Sequence, residues 1–184
     1  MFATALQGAF DTQFEFILTA AVVCVAMGAT LVLLRRNLLV SEGINRTAWM
    51  AWIAIISGLG VWTTHFVAMI GYRPGAALTY DLPFTALSVG VGIVCVGIPL
   101  AFAWNTTVRS RAALLGALSG LGVSAMHFTG MSALQGCLAT YGVAPVVAGV
   151  TFGAAGFAVA STRRGDSLSA DVGRALAIVT GVCA

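Results

Sequence analysis

Five stretches of this chain, each roughly twenty residues long, run almost without charge: 13–34, 47–72, 83–104, 112–135 and 143–161. A bilayer core about 30 Å thick is crossed by about 20 residues of helix. Inside it every backbone N–H and C=O must find a partner within the protein, which leaves helices or a closed barrel. A barrel strand needs only about 10 residues and alternates in polarity, whereas these runs are continuous. They predict an all-α fold, a polytopic transmembrane helix bundle. A sixth apolar run begins near Gly173 and reaches Ala184, too short to span, so the expectation is five full helices plus the start of a sixth.

Composition agrees. Of 184 residues 59% are hydrophobic and 8% charged, against about 25% charged in a soluble domain. The net charge of +3 is too small to point to nucleic acid. Four cysteines, at 24, 95, 137 and 183, form no CxxC pair that would mark a zinc or redox site. Cys24, Cys95 and Cys183 lie in apolar runs and read as small packing residues, and Cys137 is the one placed to meet solvent. Asp11 and Glu15 precede the first basic residue, Arg35, so the N-terminus lacks the positive region of a cleavable signal. The first run reads as a retained helix.

Arginine orients the bundle, because cytoplasmic loops hold Lys and Arg near helix ends. Connections are expected at 37–46, 73–82, 105–111, 136–142 and 162–172. Arg35, Arg36 and Arg46 flank the first, Arg109 and Arg111 the third, and Arg163, Arg164 and Arg174 the fifth, while Arg73 alone falls on the other side. Connections one, three and five are therefore expected in the cytoplasm, with the N-terminus outside.

The chain also repeats itself. Residues 57–69 read SGLGVWTTHFVAM and residues 119–131 read SGLGVSAMHFTGM, an offset of 62, and the chain's two histidines, His65 and His127, occupy the same place in both. Each unit is a helix in, a short arginine-bearing turn and a helix out. Gly181-Val182-Cys183-Ala184 matches Gly122-Val123-Ser124-Ala125, just ahead of Met126-His127, so a third unit is expected to be cut before its motif. The units span about 13–72, 83–135 and, incompletely, 143–184, within one domain over 1–184. At about 1.5 Å per residue both histidines fall about 10–12 Å below the outer ends of helices two and four, at equal depth.

Helical residues four apart share a face, so His65 stacks with Met69 and His127 with Met131. Met126 points about a quarter turn away, toward a neighbouring helix. Imidazole and thioether are ligands for copper, above all Cu(I), whereas Mg or Ca would want carboxylates that these helices lack. One helix cannot close such a site, but two or three meeting at one depth can. An ionisable residue at membrane depth is a functional candidate by default. A neutral histidine bonded within the bundle would also pack, and duplication copies packing residues as faithfully as ligands.

Other features read as packing. SGLGV, the Gly116–Gly120 pair and the Gly149–Gly153 pair let helices approach closely. Trp49, Trp52, Trp62 and Trp104 suit the membrane interface or the core. Pro99 is expected to kink the third helix. Neither HExxH nor a nucleophile with its base is present, so no enzymatic activity is expected.

Met126-His127-Phe128-Thr129-Gly130-Met131 resembles the motif of the MHYT family, bacterial integral membrane sensor domains named for Met-His-Tyr-Thr. The resemblance covers essentially the whole chain. It implies three repeats of helix pairs in the bacterial inner membrane, ahead of an output domain such as a diguanylate cyclase, a phosphodiesterase or a histidine kinase. It also implies copper held near the outer face by motif Met and His, and a diatomic gas (O2, CO or NO) as the ligand sensed. The residues that fit are His65, Met69, Met126, His127 and Met131. Phe128 replaces the motif tyrosine and its hydroxyl, and Thr64 stands where the first motif would carry its leading methionine. Partners expected are the bilayer, the gas, an output domain and, left open, a second copy in a homodimer. Three other readings stand beside this one: two histidines clamping a haem, a proton or metal carrier, and a structural module whose histidines only pack.

Overall fold

A computed structural model describes residues 14–71, 79–135, 142–163 and 167–183. The expectations for Asp11, Tyr72, Arg73, Cys137, Arg164 and Ala184 lie outside the described residues, as does most of the 73–82 and 136–142 connections. The described chain is helical apart from two short strands: α1 (Phe14–Val40), α2 (Gly43–Ile70), β1 (Thr79–Tyr80), α3 (Leu82–Asn105), α4 (Arg109–Ser132), β2 (Leu134–Gln135), α5 (Val143–Thr162) and α6 (Leu168–Cys183). Helices α1 to α5 are each long and apolar enough to cross a membrane, so the all-α transmembrane reading holds. Leu18, Val22, Leu33, Leu87 and Phe152 stay exposed on the bundle's outside, where lipid is the natural solvent.

The helix ends differ from the sequence expectation in a consistent way. The first connection shrinks to Ser41–Glu42, because Arg35, Arg36 and Asn37 remain in the helix, which runs on to Val40. Gly43, at φ 54°, makes the sharp turn into α2. α6 starts at Leu168 rather than near Gly173, with the Ser167 hydroxyl accepting from the Ala170 N–H at 3.3 Å. Arg174 is therefore a helix residue rather than a loop flank, and it is fully buried.

At the opposite end α2 stops at Ile70 and α4 at Ser132, short of the expected limits. Residues past α4 are drawn into pairing instead: Thr79 faces Gln135 and Tyr80 faces Leu134 in an antiparallel ribbon. The Asp81 N–H continues it by donating to Ala133 O at 2.8 Å. Asp81 also caps α3, its carboxylate accepting from the Phe84 N–H at 3.0 Å, with Pro83 in the first turn where no N–H is needed. Asp81→Ala is expected to cost about 1 kcal/mol, read as a lowered midpoint of thermal unfolding in detergent.

Each helix packs on the next, and α6 returns to α1, closing a ring. Small residues set the contacts. Gly60 of α2 lies on Met27 of α1, Gly122 of α4 on Cys95 of α3, and Gly181 of α6 on Phe157 and Gly153 of α5. Two residues earlier in the pattern, Gly58 meets Gly92 and Ile93 of α3, and Gly120 meets Gly153 and Ala154 of α5. Each histidine helix thus grips the helix before it and the helix after it. The ring closes where Gly28 of α1 meets Ala175 and Val179 of α6.

Pro99 leaves a particular mark. The six residues before Ile98, Gly92–Gly97, form a π-helical turn, and the Ile98 N–H reaches back to Ile93 O. Proline has no N–H to give and its ring crowds the carbonyl four residues back, here Cys95 O. The disruption expected as a kink takes the form of a wide turn in mid-span.

Polar ties hold the arginine-bearing end. Arg46 Nε donates to Asn105 Oδ1 at 2.6 Å, joining the start of α2 to the end of α3. Asp171 of α6 accepts from Arg36 of α1 and from Arg174 on its own helix, and Arg174 also donates to Arg163 O at the end of α5.

Candidate functional site

His65 and His127 meet. Each sits five residues before the end of its helix, at Ile70 and Ser132, about 7–8 Å along the axis, somewhat shallower than the sequence suggests because both helices stop early. Equal depth alone does not bring two side chains together. Here the paired β1–β2 ribbon ties the start of α3 to the end of α4, and the glycine contacts fix how far each histidine helix stands from α3. The result is a His65 Nδ1 to His127 Nδ1 separation of 3.2 Å, with ring centroids 4.6 Å apart and planes crossed at 70°.

Aromatic neighbours hold both rings. Phe66 stands edge-on to His65 at 5.3 Å, and Phe128 stands in the same relation to His127 at 5.3 Å. Trp62 stacks on Phe66 at 4.6 Å and its indole N–H donates to Ser88 Oγ of α3 at 3.0 Å. Gly130 matters for its lack of a side chain, since a β-carbon there would sit 3.4 Å from His65 Nε2 and 3.2 Å from Phe66.

The three methionines fare differently. Met126 is buried, lines the cavity beside the histidines, and its chain runs against Gly92 of α3. Met69 and Met131 are half-buried one turn beyond the histidines and are not among the residues lining that cavity. Among the described residues no group of three or more His, Cys, Asp and Glu side chains gathers. Cys24 is buried in the core, as a packing role requires.

A cavity of about 510 Å³ opens in front of the pair. Ile17 and Ala20 of α1, Val146 and Val150 of α5 and Val182 of α6 make its wall apolar, while Thr64 and Ser124 add hydroxyls near the histidines. Sequence reasoning missed Ser124 and Phe66, and it named Thr64, Phe128 and Gly130 only as motif positions, without their contacts to the pair. The offset of 62 could have flagged the phenylalanines, since Phe66 and Phe128 are equivalent.

Chemically the pair can do two things. With both rings neutral, one Nδ1–H donates to the other Nδ1, which leaves one Nε2 as acceptor and the other as donor. Replacing that shared hydrogen by a metal ion needs little movement, because two nitrogens bound at about 2.0–2.1 Å to a tetrahedral ion lie about 3.3 Å apart.

Residues 58–117 match the family model MHYT, described as a bacterial signalling protein N terminal repeat. An uncharacterized signaling protein of Caulobacter vibrioides is 36% identical over 158 residues, 82% of this chain and 19% of that protein. The cyclic di-GMP phosphodiesterase NbdA of Pseudomonas aeruginosa is 36% identical over 108 residues, 55% of this chain and 13% of that protein. The bifunctional diguanylate cyclase/cyclic di-GMP phosphodiesterase MucR of the same species is 34% identical over 95 residues, 51% of this chain and 14% of that protein. The chain thus spans less than a fifth of the length of the curated relatives it matches. No solved structure matches it.

Proposed function

Because the chain belongs to the MHYT family of bacterial signalling proteins, we propose that it is a non-catalytic input domain binding one copper ion between His65 and His127. As a multi-pass membrane protein with a sensory signalling role, it would present that ion near the histidine-bearing end of the bundle. The Nδ1–Nδ1 spacing of 3.2 Å carries the reading. Met126 is the thioether nearest to hand, and Met69 or Met131 completes the set if its helix end turns inward. Copper supplies an open coordination position for a small π-acceptor gas such as CO, NO or O2, and the apolar wall keeps water from competing for it. The arginine-bearing end faces the cytoplasm in this reading. An output domain there turns over a cyclic dinucleotide, as the names of the Pseudomonas relatives say of those proteins.

Direct contact between the rings favours this reading over haem, since a macrocycle ligated by both histidines would have to part them. The test is copper content after anaerobic Cu(I) loading and gel filtration. Wild type is expected to hold about one ion per chain, and His65→Ala and His127→Ala to lose at least about tenfold in affinity. Equal copper in wild type and both variants would sink the proposal. Carbon monoxide added to the loaded protein is expected to give a copper-carbonyl infrared band.

A further inference from the structure

The two helices that carry the histidines also hold the π turn of α3, and they do so with the residues of the repeat itself. From α2, Gly58 lies against the backbone of Gly92 and Ile93. From α4, the Ser119 hydroxyl donates to Val96 O at 2.6 Å in a buried bond between helices, Gly122 sits on Cys95 O, and Met126 reaches Gly92. Positions 119, 122 and 126 share one face of α4, and His127 is the next residue. Whatever rotates or shifts His127 moves that face against the π turn.

Below the turn, α3 runs to Asn105, whose side chain holds Arg46 at the foot of α2. A π turn carries one residue more than the α-helical turn it replaces, and such turns cluster at functional sites. Moving it along the helix re-registers the residues it passes by about 100° and 1.5 Å each. Val94, on its lipid side, is 56% exposed, so that face can move without tearing the core. The glycines at both of its ends, Gly92 and Gly97, ease the change in backbone angles.

We infer that the π turn of α3 is the joint through which the state of the His65–His127 pair reaches the arginine-bearing end, with Ser119 and Met126 as positioning residues. The inference rests on the reading of the pair as the sensing site, but not on the ligand being copper. A change at the pair shifts α4, the Ser119 and Met126 contacts drag the turn, and the lower half of α3 responds at Asn105–Arg46. Coupling of this kind is reciprocal and is commonly worth about 5-fold or more.

Hydrogen exchange of the full chain in lipid nanodiscs tests it. Peptides covering Gly92–Gly97 and Asn105 are expected to change exchange rate about 5-fold or more on two treatments: Cu(I) loading, and His127→Ala without metal. Deleting Val94 removes the one residue by which the π turn exceeds an α-helical turn while leaving Pro99 in place, and the Asn105 response to either treatment is then expected to vanish. If that chain does not fold, Ser119→Ala replaces it, with the Asn105 response reduced and exchange across the Gly92–Gly97 peptide accelerated as the turn loses its tie to α4. Unchanged exchange at both peptides after both treatments overturns the joint, and so does a full Asn105 response in the Val94-deleted or Ser119→Ala chain. A chain that takes up no copper but responds to His127→Ala removes the metal reading and leaves the joint standing.

Discussion

Asp171→Leu is expected to destabilise the bundle by about 3 kcal/mol, near the lower end of what losing one partner of a buried ion pair costs. Arg174 has no solvent exposure, and Asp171 is almost as deeply buried. Removing the carboxylate leaves a buried guanidinium facing the neutral carbonyl of Arg163, which it already holds at 3.2–3.3 Å and which offsets part of the loss. Arg36, the other partner, is 47% exposed, so water screens it. Arg36→Gln should cost under about 1 kcal/mol. Asp171→Leu combined with Arg174→Leu should recover most of the loss, because an apolar pair of similar size needs no charge desolvated. Unfolding midpoints against SDS mole fraction order the variants. Equal midpoints for Asp171→Leu and Arg36→Gln would mean that the cluster is solvated in the membrane-bound protein.

That cluster is not legible in the sequence, and the reason is physical. Arginine near a run's end signals which side of the membrane it faces, but the same residue serves as a loop flank or as a buried tie, depending on which helix lies opposite. Arg174 reads as part of a connection because the apolar run begins only near Gly173, while the helix itself starts at Leu168. The five spans are legible because each must carry its own backbone hydrogen bonds through lipid, so length and apolarity suffice. The meeting of His65 with His127 is half legible. The offset of 62 implies equal depth, while rotation toward one another depends on the β1–β2 ribbon and on which glycines touch α3. Met126 illustrates the remaining gap: a quarter turn from its histidine by helix geometry, it still reaches both the cavity and Gly92 because α3 comes so close there.

Gly122→Val is expected to abolish the folded bundle and Gly122→Ala to cost about 1–3 kcal/mol, the usual range for overpacking a close contact. A β-carbon at 122 would overlap the backbone oxygen of Cys95, which no rotamer change relieves. α4 must then back away from α3. His127 moves with it, and the 3.2 Å approach to His65 opens. On the copper site proposed above, Gly122→Ala should therefore lose copper affinity by more than its stability loss accounts for at temperatures where it remains folded. Gly90 supplies the control, lying on α3 just before the wide segment, with nothing within 4 Å of where its β-carbon would stand. Gly90→Ala should be neutral or raise stability by up to about 1 kcal/mol, since alanine loses less backbone entropy in a helix. A Gly122→Ala bundle that melts with wild type would overturn the overpacking argument, and one that melts early yet binds copper as wild type does would separate helix spacing from the histidine pair. The glycine repeat would then serve packing alone. If both properties fall together at Gly122 and neither does at Gly90, the glycines that let the helices touch also set the distance between the imidazoles.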